Sequence, residues 1–129
     1  TFGGNPLACT GVVATIDAMK EENLLDNASA VGRVIRDGIA DAMAGTPGFV
    51  EVRGMGLMIG IELDRPCADI ITMSLERGLV LNVTAENVVR LLPPLVMSET
   101  EARKLVDILV PVMKAFLAQP AAAATAKGA

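Results

Sequence analysis

The amino-acid sequence predicts an α+β domain, a small and mostly antiparallel sheet with helices packed on it. Three observations carry that prediction. The apolar spacing switches along the chain between helical stripes and strand-like alternation, in the order helix, helix, strand, strand, helix, strand, strand, helix. The strands come in neighbouring pairs separated by short polar or glycine-containing turns, which suits hairpins. The hydrophobic fraction is 52% of 129 residues, enough for one modest core and too much for a disordered body.

The first helix is expected from Pro6 to about Lys20. Asn5 offers a capping side chain and Pro6 takes the first helical position. Leu7, Ala8, Gly11, Ala14 and Ala18 give it small apolar faces suited to close packing on neighbours. Asn23 is expected to cap a second helix whose stripe is Leu24, Ala28, Val31, Ile35, Ile39 and Ala42. Arg33 and Asp37 are spaced to pair on its wet side. Gly45-Thr46-Pro47-Gly48 stops it.

Phe49 to Arg53 alternates as a strand, Gly54-Met55-Gly56 reads as a turn, and Leu57 to Leu63 is the returning strand. Glu62 is a charge inside that apolar run. It either faces outward or meets an arginine such as Arg90. Pro66 to Arg77 reads as a short helix with Cys67, Ile70, Ile71 and Ser74 on one face, ended by Gly78. Leu79 to Val83 and Val88 to Leu92 are two further strands joined through Thr84 to Asn87. Ser98-Glu99-Thr100-Glu101 is a capping box for the last helix, with the stripe Ala102, Leu105, Val106, Leu109, Val112 and Phe116. Pro111 inside it predicts a kink or local break. From Pro120 onward the alanine-rich sequence reads as a frayed tail.

Composition narrows the chemistry. The net charge is −4 with scattered Lys and Arg, which argues against nucleic acid and anionic membranes as partners. No apolar run is long enough to span a bilayer, so no membrane role is expected. There is no His, which removes the commonest metal ligand and general base, and no metal site is expected. Cys9 and Cys67 read as small apolar core residues in a reducing, cytoplasmic setting. Asn82-Val83-Thr84 matches a glycosylation pattern only by chance. Lys20, Lys104, Lys114 and Lys127 fall at helix ends, on charged faces or in the tail, and none has an apolar setting for Schiff-base work. No complete catalytic set is expected in this chain.

Two features could serve a ligand. Gly3-Gly4 stands ahead of a helix N-terminus, where backbone N–H groups can approach an anion, although a plain tight turn needs glycines too. Arg90 sits inside an apolar strand that ends at Pro93-Pro94. An arginine so placed either pairs with a carboxylate of its own protein or meets one on a ligand. By residue type the internal pair is the commoner fate.

Thr1-Phe2-Gly3-Gly4-Asn5-Pro6-Leu7-Ala8, Glu22-Asn23-Leu24-Leu25, the run Val52 to Glu62, Gly78 to Asn82, and Asn87 to Leu95 follow one another in an order that resembles the class III aminotransferases. The resemblance covers Thr1 to about Leu117. It implies a fold-type-I enzyme that uses pyridoxal 5'-phosphate and acts as a homodimer on amino-acid and 2-oxo-acid substrates. The amino donor it implies is N-acetylornithine, with ornithine, succinylornithine and 4-aminobutyrate as alternatives, and the acceptor is 2-oxoglutarate. It implies that Thr1, Phe2 and Gly3 contact the cofactor phosphate, Thr1 in the partner subunit's site, and that Arg90 forks onto the substrate α-carboxylate. The cofactor-linking lysine and the ring-holding residues precede the matched segment in the family. The chain is therefore expected to be a C-terminal part: 1–22 closing the large domain, 23–118 forming the small domain, and 119–129 a disordered tail. Its opening on Thr1 rather than Met fits that expectation. A non-catalytic α+β binding or dimerisation module is the remaining alternative.

Overall fold

The computed structural model describes residues 3–120. Eight elements follow in order: α1 (Pro6–Glu21), α2 (Leu24–Met43), β1 (Phe49–Met55), β2 (Met58–Leu63), α3 (Asp69–Leu75), β3 (Asn82–Thr84), β4 (Val88–Leu91) and α4 (Glu99–Leu117). The strands form one four-stranded antiparallel sheet in the order β1-β2-β4-β3. This is the expected α+β class.

Alternation along the strands divides the sheet into two faces. Ile59, Ile61 and Leu63 of β2 and Val89 and Leu91 of β4 turn inward. They meet Ile35, Ile39 and Met43 of α2 and Leu109, Val112 and Met113 of α4 in one core. The helices supply that core through stripes at helical spacing, so α2 and α4 lie side by side over the sheet. The other face carries Glu51, Arg53, Gly60, Glu62, Arg90, Asn82 and Thr84.

The termini of the helices show where local chemistry held and where it yielded. Asn5 caps α1 by accepting from the Ala8 N–H at 3.0 Å. In α4 the capping box forms in both directions: Glu101 N–H donates to Ser98 Oγ, and Ser98 N–H donates to Glu101 Oε2 at 2.8 Å. Asn23 does not cap α2 with its side chain. It takes a left-handed conformation, φ 56°, and makes the corner between α1 and α2 instead. Arg33 and Asp37 are exposed as expected, but no ion pair joins them among the described residues.

Other boundaries moved for physical reasons. The expected turn at Gly54-Met55-Gly56 lies further on, at Gly56-Leu57. Gly54, at φ 154°, continues β1 past the Met58 carbonyl, which would stand 2.1 Å from any Cβ there. α3 is shorter than expected because Cys67 precedes it and bonds its N–H to the Glu86 carbonyl at 2.9 Å. Ile71 on α3 stays partly exposed, while Ser74 is buried with its hydroxyl unpartnered among the described residues. Leu79 to Leu81 do not join β3. Pro111 does not break α4, which runs unbroken from Glu99 to Leu117. Pro111 and Asp107, whose carbonyl loses its partner, both lie on the wet side, where water can take that bond.

Cys9 corrects the expectation of two core cysteines. Cys67 is fully buried, whereas Cys9 is exposed on α1. No residue of α1 is buried, and the helix packs along α2. Its apolar residues Leu7, Val12, Val13 and Ile16 are open to solvent. Among the described residues, no helix is long and apolar enough to cross a membrane, and no group of three or more metal-capable side chains exists.

Candidate functional site

The outward face of the sheet holds the candidate site. In the pairing register, Arg53 of β1, Gly60 of β2, Arg90 of β4 and Asn82 of β3 lie in one row across all four strands. Residues in register on neighbouring antiparallel strands share a face, so these side chains stand on the same surface. Gly60 contributes none, so no side chain of β2 stands between the two arginines in this row. A Cβ at Gly60 would meet only Val88 Cγ1, at 3.2 Å.

Arg90 is exposed rather than buried in its apolar strand. Val89 and Leu91 on either side turn into the core, so alternation forces the guanidinium outward. Its Nε donates to Asn82 Oδ1 at 3.1 Å, and among the described residues no carboxylate pairs with it. One edge of the guanidinium is steadied and the terminal nitrogens remain available, the arrangement a bidentate fork requires.

Glu62 does not serve Arg90. It pairs with Arg53, Oε2 to Nη1 at 2.6 Å, and the same Nη1 reaches Glu51 Oε1 at 2.6 Å. The Glu62 carboxylate, then that of Glu51, holds the Arg53 guanidinium above its ordinary pKa. Arg53, not Arg90, is the partner of Glu62. The signal was present: Glu51 and Arg53, two apart in a strand, share a face. Beyond its place in the Gly78 to Asn82 run and the chance glycosylation match, Asn82 carries no signal of a role beside Arg90, because that pairing depends on the β3–β4 register.

The glycine turn is partly described. Gly3 and Gly4 form a turn ahead of the Asn5 cap, Gly4 at φ 80°, with no other atom within 4 Å of where a Cβ would stand at either. This backbone is accessible to an anion. Thr1 and Phe2 lie outside the described residues. The structure does not join the turn to Arg90: one is carried on α1, which packs on α2, and the other stands on the sheet. Lys20, Lys104 and Lys114 are all exposed on helices, as their sequence settings predicted, and Lys127 lies outside the described residues.

A further element supports the strand end beyond Arg90. Asn27 of α2 donates through Nδ2 to the Leu95 and Met97 carbonyls, at 2.7 and 3.0 Å. This ties the segment after Pro93-Pro94 to the helix layer. Next to it Leu25, Met55, Met58, Leu92, Pro93 and Leu95 line an open apolar groove.

A family model described as aminotransferase class-III matches residues 1–113. Acetylornithine aminotransferase 1 of Bordetella pertussis is 57% identical over 119 residues, 92% of this chain and 30% of that protein. The crystal structure of acetylornithine aminotransferase from Elizabethkingia anophelis superposes with a TM-score of 0.81 at 34% identity, over 87% of this chain and 29% of that one. An ornithine aminotransferase from Toxoplasma gondii, with pyridoxal phosphate partly occupying its active site, superposes with a TM-score of 0.83 at 34% identity, over 89% of this chain and 28% of its own. This chain thus spans about 30% of the length of the relatives it matches. With the family model covering nearly all the described residues and the fold shared throughout, the chain belongs to the class III aminotransferase family.

Proposed function

We propose that this chain is the C-terminal part of a pyridoxal-phosphate-dependent aminotransferase, one that moves an amino group from N-acetylornithine, or a related ω-amino acid, to 2-oxoglutarate. In this reading the enzyme is a cytoplasmic homodimer. The observation that supports it best is Arg90: an exposed guanidinium, braced at Nε by Asn82 and with no carboxylate partner among the described residues, in a chain 57% identical to an acetylornithine aminotransferase. Arg90 receives the α-carboxylate of each substrate on its terminal nitrogens. The planar fork fixes the carboxylate in two places and so sets the orientation of the rest of the amino acid.

Bound pyridoxal phosphate supplies the electron sink that transamination requires. The open Gly3-Gly4 backbone fits a phosphate contact, with Thr1 and Phe2 completing that loop in the partner subunit's site. The exposed lysines do not fit a covalent link to the cofactor. The chain therefore contributes substrate and phosphate binding and is inactive by itself.

The test is Arg90→Ala and Arg90→Lys in the full-length enzyme, with both half-reactions measured. Losing one side of a desolvated charge pair costs about 2–5 kcal/mol, so Arg90→Ala lowers kcat/KM from roughly thirty-fold to several-thousand-fold. Donor and 2-oxoglutarate suffer alike, and cofactor content stays near normal. Arg90→Lys recovers only part, because a point charge does not replace a fork. Unchanged half-reactions with a lowered Tm would overturn the assignment.

A further inference from the structure

We infer that Arg53 is a positioning residue for Arg90: by holding Glu62, it keeps the Arg90 guanidinium open to a ligand carboxylate. The inference rests on the ligand-binding reading of Arg90 and extends it to a residue that does not touch the ligand.

The geometry is set by the register. Glu62 of the central strand β2 pairs with Glu51 on one side and Val88 on the other. It is therefore diagonal in register to Arg53 across β1 and to Arg90 across β4, since both arginines stand opposite Gly60. Diagonal neighbours on one face lie within reach of long side chains. Gly60 brings no side chain of its own, and the group beside it on this face is the Val88 methyl, Cγ1, which would lie 3.2 Å from a Cβ there. One acid thus faces two arginines, and it sits on Arg53 at 2.6 Å.

Glu51 decides the direction. Like charges directly opposite one another on paired strands repel, and Glu51 is directly opposite Glu62. Arg53 bridges the two acids through Nη1 and cancels that repulsion. Without its guanidinium, Glu62 would face an uncompensated carboxylate on one flank and a free cation, Arg90, on the other. The carboxylate would then turn to Arg90 and occupy the nitrogens a ligand needs. The cluster is a third to a half exposed, so the competition is of surface-pair strength.

Arg53→Met keeps the stem and removes the charge. In the full-length enzyme it should raise the KM of donor and 2-oxoglutarate together by about two- to five-fold, the size of an exposed ion pair, and leave kcat within error. Arg53→Met combined with Glu62→Gln should return both KM values to normal, since the competing acid is gone. Glu62→Gln by itself conserves volume and should leave KM equal or lower. In the 129-residue chain, the Arg90 Nε–Hε NMR resonance should shift in Arg53→Met and return in the double variant. An unshifted resonance and unchanged KM in Arg53→Met overturn the inference, and so does a raised KM in Glu62→Gln. If Arg53→Met fails to fold, the Glu62→Gln result decides. Arg90→Ala separates the two levels: if it too leaves KM unchanged, the ligand role of Arg90 falls, whereas a raised KM there beside an inert Arg53 rejects only the positioning role.

Discussion

At the residue scale, the two cysteines show how far position overrides type. Cys67 is fully buried, and burial pushes its thiol up from 9.0 to about 11. Cys9 is exposed on α1. Iodoacetamide at pH 8 should label Cys9 and spare Cys67 until the chain unfolds. The same burial makes a stability prediction. Below pH 9 the Cys67 thiol is protonated in both folded and unfolded states, and its burial carries no proton-linked penalty. As pH rises from 9 to 11, only the unfolded chain releases that proton, so the folded state loses roughly 2–3 kcal/mol across this window. The chain has no tyrosine to titrate in the same range. Cys67→Ala should flatten that part of a stability-against-pH curve, measured by urea unfolding. An equally steep curve in the variant would count against a buried neutral thiol.

At the element scale, α2 crosses the β1–β2 turn at very short range. A Cβ on Gly32 would stand 2.0 Å from the Gly56 carbonyl oxygen, a backbone atom that cannot swing aside. The same oxygen accepts from Arg36 Nη1 at 3.1 Å, which pins the turn to the helix. In an isolated helix, Gly→Ala gains about 1 kcal/mol. Here Gly32→Ala should instead cost about 3 kcal/mol or more, because helix and hairpin must separate to admit one methyl group. Thermal melts give the sign directly, and a raised Tm would mean that α2 slides freely over the turn. The start of α4 offers a milder contrast. Ser98→Ala removes one half of the reciprocal cap and should cost about 1 kcal/mol in denaturant unfolding, with the slope unchanged.

At the scale of the whole molecule, two clusters of apolar side chains stand open. One is α1, where Leu7, Val12, Val13 and Ile16 are open. The other is the groove around Leu25, Met55, Met58, Leu92 and Leu95. Exposed apolar area of this kind marks surfaces that associate. The 129-residue chain should therefore show an average mass in sedimentation that rises with concentration. Leu7→Asp with Ile16→Asp should weaken that rise without unfolding the core, since no residue of α1 is buried. A monomer at every concentration would mean that water tolerates both surfaces.

The sequence by itself determined the class of fold, the number and order of the elements, and most of the core. Those follow from local spacing: stripes in α2 and α4, alternation in β2, and a capping box whose members are three residues apart. The family was legible too, from Thr1-Phe2-Gly3-Gly4-Asn5-Pro6 and from Arg90-Leu91-Leu92-Pro93-Pro94. Tertiary structure decided what depends on partners distant in the chain. Whether Glu62 pairs with Arg90 or with Arg53 turns on how β2 is set against β1 and β4, strands that the chain does not place side by side on its own. The same holds for Asn82 beside Arg90, and for Cys67, which is drawn ahead of α3 by the Glu86 carbonyl. The exposure of α1 was illegible for a related reason. An apolar helix face records that something covers it, whereas the coverage itself belongs to the packing between elements.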